Sequence, residues 1–213
     1  MATSINPYTD FGFKKLFGKE ANTEVLIEQQ LDYEKQQIDP STPFPILTTT
    51  RLTLRPLLLS DAKDVFTLRS DSAINKYLDR QPSKTIDDAI SFINNITENI
   101  KKNESIYWAI TLTESNTFVG TICLFGFSDQ EHKCEIGYEL LSHFQGKGLM
   151  HEAASKVIEY AVKTMNVQTI EAFTHKNNQP SIRLLEQLEF KKSIEPDKTN
   201  PDCYVFTFGS LNI

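Results

Sequence analysis

The stretch Glu135-Ile136-Gly137-Tyr138-Glu139-Leu140-Leu141, followed after two residues by Phe144-Gln145-Gly146-Lys147-Gly148-Leu149-Met150, decides how this chain is read. Cys134 to Leu141 reads as a strand. From Met150, apolar positions at Ala153, Ala154, Val157, Ile158 and Ala161 describe a helix with small residues on its inner face. Gly146-Lys147-Gly148 therefore stands between a strand end and a helix start, where unpaired amides and the helix dipole both point at an anion. Glycine lets successive N–H groups turn inward and lets a bulky pyrophosphate approach without meeting a Cβ. The pattern is not a Walker loop, because Lys147 is followed by Gly148 rather than Ser or Thr and no earlier glycine precedes it at the required spacing. It is not a dinucleotide fingerprint either. Taken alone, such a glycine pair also serves to end a strand or make a tight turn, so the flanking sequence carries the decision.

Outward from the loop, Ile106, Trp108, Ile110 and Leu112 alternate with more varied residues, Glu114-Ser115-Asn116 marks a turn, and Phe118 to Phe125 follows, which together read as an antiparallel hairpin. Tyr107, Trp108 and the phenylalanines fall at strand spacing and read as core. Downstream come a strand over Val167 to Thr174, a helix over Pro180 to Leu188, and strands near Phe190 to Ile194 and Tyr204 to Phe208. Upstream, Arg51-Leu52-Thr53-Leu54-Arg55 alternates as a short strand, Pro56 discourages its continuation, and Ser60 is placed to cap a following helix. A longer helix runs from Thr85 as N-cap to about Lys102, with Ile86, Ala89, Ile90, Ile93, Ile96 and Ile100 at three- and four-residue intervals. Its first turn holds Asp87 and Asp88 and its last Lys101 and Lys102, as the helix dipole favours. Hairpins first and one strand-helix-strand crossover afterwards indicate an α/β (α+β) domain: a mixed sheet with helices on both faces.

Pro40, Pro43 and Pro45 mark residues 38–45 as an extended connector. It separates a short helical appendage, residues 1–37 with a charged helix over Glu20 to Gln37, from a main domain over 46–213. Twenty-eight acidic against twenty-two basic residues give a net charge of −6, which repels a phosphate backbone, argues against nucleic-acid binding and suits an amine or basic peptide better. Cys123, Cys134 and Cys203 have neither disulfide nor zinc-cluster spacing, and no metal site is read. No apolar run reaches membrane-spanning length, and the cytoplasm is the expected location.

The segment from Glu135 to Met150 resembles the acyl-CoA motif of the GNAT superfamily, Gln/Arg-x-x-Gly-x-Gly/Ala. Gln145 and Gly148 match it, and Met150 replaces the last small residue, as in the branch that acetylates ribosomal-protein N-termini. Thr50-Arg51-Leu52-Thr53-Leu54-Arg55-Pro56 resembles that branch's opening strand, and the run from Asn177 through Ser181 to Phe190 resembles its closing helix, with Glu189 where the family usually has glycine. The resemblance implies a sheet splayed between the strand of Glu135 to Leu141 and that of Val167 to Thr174, with acetyl-CoA as acetyl donor. The implied cofactor contacts are Gln145, Gly146, Lys147, Gly148, Leu149 and Met150 at the pyrophosphate and Tyr138, Leu140, Leu141 and Asn178 at the pantetheine. Separately, Asn6 to Gly18 resembles the opening of PD-(D/E)XK nuclease-like transposase proteins, without the metal-binding residues that would make a nuclease.

Acetyl transfer needs a neutral amine, stabilisation of the tetrahedral oxyanion and a donor for the departing thiolate. Glu135 is the preferred base, since its Glu-Ile pair resembles the position that histone-type members use; Glu139 and Glu171 are the other candidates, and each also reads as an ordinary strand carboxylate. The tyrosine that many relatives place in the helix after the Asn motif is replaced here by Leu185. Ser181 is the alternative donor, or else a helix-start hydroxyl that caps backbone amides. His143 and His151 flank the loop and are assigned to neither task. The acceptor is expected to be a protein N-terminal amine, with a polyamine or aminoglycoside as the alternative. A module that binds acyl-CoA without transfer is the rival from another class, and monomer and homodimer both remain open.

Overall fold

The computed structural model describes residues 44–78, 80–130, 132–194 and 200–209. The expected appendage, its charged helix and the transposase-like opening lie outside the described residues. The elements are β1 (Leu47–Thr48), β2 (Leu52–Pro56), α1 (Ala62–Ser70), α2 (Ser72–Asn75), α3 (Ile86–Lys101), β3 (Ser105–Leu112), β4 (Phe118–Ser128), β5 (Lys133–Leu140), α4 (Leu149–Lys163), β6 (Thr169–His175), α5 (Gln179–Gln187), β7 (Lys191–Lys192) and β8 (Cys203–Gly209). They form one sheet in the order β1-β2-β3-β4-β5-β6-β8-β7. Every neighbouring pair is antiparallel except β5 and β6, which run parallel because α4 carries the chain back between them.

Both faces of the sheet are covered, so β3 is buried on both sides. Trp108 and Ile110 join a core with α4 and α5, built on Ala153, Ala154, Val157, Ala161 and Leu185. Tyr107 and Ala109 join a second core with α1 and α3, built on Val65, Leu68, Ala89 and Ile93. The alanines of α4 do what their spacing predicted: lacking bulk, they let the helix lie close on the strands. Phe44 packs edge-on against Trp108, whose indole N–H donates to the Pro45 carbonyl at 2.7 Å, so the last two residues of the expected connector are docked on the core.

Thr85 caps α3 as its sequence indicated, accepting from the Asp88 amide while the Asp88 carboxylate accepts from the Thr85 amide. Ser60 does not cap α1. It lies inside a 3₁₀ turn, Leu59–Asp61, and the next residue, Asp61, takes over the local polar role. The Asp61 carboxylate accepts two bonds from the Arg55 guanidinium and one from the Leu58 amide, all at 2.8 Å, tying the end of β2 to the start of α1.

The position where a glycine was expected has the matching backbone. Glu189 follows α5 with φ 66°, the left-handed conformation that closes many helices. There the Phe190 amide reaches back to the Leu185 carbonyl at 3.0 Å. A side chain with a Cβ pays a conformational penalty in this region that glycine does not. Glu189→Gly should therefore stabilise the protein by about 1 kcal/mol, read as a raised midpoint in chemical denaturation with an unchanged m-value.

Candidate active site

The parallel pair at the centre of the sheet is short. β5 and β6 are in register at only three positions, Lys133↔Thr169, Cys134↔Ile170 and Glu135↔Glu171. Each strand remains held on its outer side, β5 by β4 as far as Leu140 and β6 by β8 as far as His175. Beyond Glu135 and Glu171 the inner edges therefore part while the sheet stays intact, and a wedge opens toward the start of α4. This is the splay that the resemblance implied.

Alternation along β5 sends its side chains to opposite faces of the wedge. Ile136, Tyr138 and Leu140 belong to the α4/α5 side. Glu135, Gly137 and Glu139 face the α1/α3 side, and so does Glu171, directly opposite Glu135 in register. The three candidate carboxylates thus share one face but differ in partners. Glu139 accepts from both terminal nitrogens of Arg80, each at 2.6 Å, and this pair is almost wholly buried; Arg80 is fixed in turn by a 2.7 Å bond to Asn75. Glu171 lies 3.4 Å from the Lys133 ammonium. Glu135 is half-buried over Gly126, where an added methyl would come within 2.9 Å of its Oε1. Gly126 has φ 61° at a break in the β4/β5 register, so its missing side chain and the bulge together make room for this carboxylate.

On the other face, the Tyr138 hydroxyl and Ser181 Oγ are 2.8 Å apart, joining β5 to the first turn of α5. Asn178 is the N-cap of that helix, its side-chain oxygen accepting from the Ser181 amide at 3.3 Å. The Ser181 hydroxyl is thus not the cap. Burial pushes the Tyr138 phenol up to about 12, although its bond with Ser181 acts the other way. Leu185 fills the core at 1% exposure and offers no polar group. The tyrosine hydroxyl beside the start of this helix belongs to Tyr138 on β5, a residue that the resemblance implied only as a backbone contact.

The glycine loop leaves β5 through a 3₁₀ turn, Ser142–Phe144. Gln145 folds back so that its Nε2 donates to the Leu140 carbonyl at 2.9 Å, and the Leu141 amide donates to Val119. Gly146 and Gly148 both have φ 73°, and Gly148 is the N-cap of α4 with no side-chain cap. A Cβ on Gly146 would meet nothing within 4 Å, so the loop's outer side is open. The side chains of Leu149 and Met150 are buried in the core, while Gln145 through Gly148 are exposed. The loop therefore presents backbone at the positive end of a helix of four turns, which is what a pyrophosphate requires.

Arg51 braces this loop, a role that the sequence reading missed. Its Nη1 donates to the Lys147 carbonyl at 3.1 Å and its Nε to Glu152 Oε2 at 2.6 Å; the Arg51 amide and Thr49 Oγ1 bond the other Glu152 oxygen. The clue was an acid in the first turn of the helix and an arginine opening the first long strand, a pairing visible only once the sheet order is known. His143 and His151 sit exposed beside the loop.

The model of the acetyltransferase (GNAT) domain family matches residues 51–191. An uncharacterised N-acetyltransferase, p20, of Bacillus licheniformis is 36% identical over 147 residues, covering 68% of this chain and 82% of the relative. The ribosomal protein uS5-alanine N-acetyltransferase of Escherichia coli is 28% identical over 157 residues, covering 68% and 78%. Among solved structures, a GNAT-family acetyltransferase from Bacillus anthracis superposes with TM-score 0.68 at 25% identity, over 77% of this chain and 98% of that one. The chain belongs to the GNAT family and is an N-acetyltransferase.

The Glu152 brace carries a pH signature. Burial opposes ionisation of Glu152, but the bonds from Thr49 and from the Arg51 amide and guanidinium outweigh it and hold the carboxyl below its ordinary value of 4.5. A carboxyl depressed in the folded state contributes stability above its unfolded pKa, and that contribution is lost as pH falls through the folded value. Glu152→Gln should therefore lower the melting temperature near neutral pH, and the gap to the native protein should close as pH drops below about 4. A gap independent of pH would mean that the carboxylate's charge is not what holds the loop.

Proposed function

We propose that this acetyltransferase moves the acetyl group of acetyl-CoA to a primary amine, and that the amine is a protein N-terminus. The observation that carries the reading is the placement of an open glycine loop at the head of α4, beside a wedge whose two faces bear different chemistry. Acetyl-CoA supplies the activated thioester; everything else is the work of the chain. The amides of Gly146 to Met150 receive the pyrophosphate, with Gln145 and Lys147 at its edge. Backbone groups around Tyr138, Leu140 and Leu141, together with Asn178, line the pantetheine path. Glu135 takes the amine proton, directly or through water, and Ser181 donates to the sulfur from the opposite face. Glu135 is favoured because its Glu-Ile pair resembles the position that histone-type members use and because the buried Arg80 guanidinium occupies both oxygens of its neighbour Glu139. Two groups on opposite faces can address one tetrahedral centre without competing for space.

A protein N-terminus is favoured by the similarity to the uS5-alanine enzyme of Escherichia coli and by the net charge of −6, which suits a cationic acceptor. The test is thiol release from acetyl-CoA across N-terminal peptides, polyamines and aminoglycosides. Peptides should be turned over with the highest kcat/KM, and preference for either small-molecule class would overturn the acceptor assignment. In the same series, Gly148→Val should lose most of its coenzyme A affinity by calorimetry while remaining folded, since valine is strained at φ 73°. Unchanged affinity would move the pyrophosphate elsewhere.

The base has its own signature. Glu135→Gln should lower turnover by about 100- to 10,000-fold where few amines are neutral, with partial recovery at high pH as free amine accumulates. Ser181→Ala should lower turnover without that recovery, because amine ionisation is not its task. A near-native rate for Glu135→Gln at every pH would remove Glu135 from the reaction.

A further inference from the structure

We infer that Tyr138 is a positioning residue for the thiolate donor, holding Ser181 so that the serine hydrogen points into the wedge; this rests on the reading of Ser181 given above. The two hydroxyl oxygens are 2.8 Å apart, so one of them donates. A half-buried phenol needs an acceptor for its hydrogen, and the Ser181 oxygen is the partner within reach. The phenol stays protonated throughout the working pH range, since burial raises it to about 12. Between two protonated hydroxyls the more acidic phenol is the better donor and the alkyl hydroxyl the better acceptor, which makes Tyr138 the donor of this pair. Ser181 Oγ then accepts, and its own hydrogen must turn away from Tyr138. The Ser181 amide is already used by the Asn178 cap, and the serine sits in the first turn of α5, so that the backbone is fixed while the hydroxyl rotor is not. Without Tyr138 the rotor would be free to bond elsewhere.

The division of labour balances. The amine nitrogen bonds to the thioester carbon and passes its proton to Glu135. The C–S bond breaks with its electron pair on sulfur. Ser181 stabilises that charge by a hydrogen bond and keeps its proton, and the sulfur is protonated by solvent after release. Glu135 returns its proton to solvent, so no net proton is consumed. Tyr138 never loses its hydrogen, which agrees with a phenol too weakly acidic to give it up.

The arrangement also accounts for a core leucine at position 185: the hydroxyl that assists the sulfur face comes from β5 and the first turn of α5, and Leu185, one turn further on, is released for packing with Ala153 and Val157 in the same core.

Tyr138→Phe, Ser181→Ala and the double variant test this. Expected is a kcat reduced about three- to tenfold in Tyr138→Phe, with the KM for acetyl-CoA and the calorimetric Kd for coenzyme A unchanged, and no further loss when the tyrosine change is added to Ser181→Ala. Independent, multiplying losses, a parallel loss of coenzyme A affinity, or an unchanged kcat would each overturn the inference. A second readout needs no turnover. In protein carrying carbon-13 at the tyrosine ζ positions, coenzyme A should shift the resonance that is missing in Tyr138→Phe, and Ser181→Ala should abolish that shift. A resonance unmoved by saturating coenzyme A would overturn the inference even if Tyr138→Phe proved too unstable for kinetics. If the unmodified protein turns over no amine, the functional reading fails together with this one; if it turns over amines and the Tyr138 resonance is silent, this inference fails alone.

Discussion

Three residue pairs hold β5 against β6, and what the site offers depends on there being so few. A parallel pair cannot be closed by a tight turn; it needs a crossover, and α4 supplies it. Because β4 and β8 secure the outer edges of the two strands over most of their length, the inner edges can separate after Glu135 and Glu171 without unravelling the sheet. Backbone groups on those inner edges then need partners from outside the strand pair.

The gap separates two environments. Toward α1 and α3 stand the carboxylates, and two like charges paired directly in register, Glu135 and Glu171, would repel each other on a strand surface. Lys133 offsets Glu171, and the Arg80–Glu139 pair is buried with a further bond from Arg80 to Asn75. Breaking such a buried pair leaves an uncompensated charge, which is far more costly than removing an exposed one. Arg80 therefore does more than neutralise: it fixes the segment between α2 and α3 against the central strand. Toward α4 and α5 the wedge is lined instead by a hydroxyl pair set in an apolar core.

The glycine loop has little structure of its own to hold it, since left-handed glycines and exposed backbone are conformationally permissive. Its geometry is imposed from the neighbouring strand by Arg51, which grips the Lys147 carbonyl and the Glu152 carboxylate together. The first long strand of the domain, its first crossover helix and the loop are thus one mechanical unit.

How much of this was legible in the sequence follows from how local each cause is. The Thr85 cap of α3, the small inner face of α4 and the permissive glycines at the helix start are set by residues within a few positions of each other and were read from their neighbours, whereas at Glu189 only the resemblance pointed to a glycine position and the structure supplied its left-handed backbone. The mixed sheet followed from the order of hairpins and crossover. Only the tertiary structure decided the partners of side chains distant in sequence: Arg80 with Glu139, Arg51 with Glu152, Tyr138 with Ser181 and Trp108 with Pro45. Strand alternation puts Glu135 and Glu139 on one face, but it does not say which is bound by a buried guanidinium and which is seated over Gly126. That distinction depends on sheet order and on a bulge at one glycine. Both are products of packing that no short window of sequence contains.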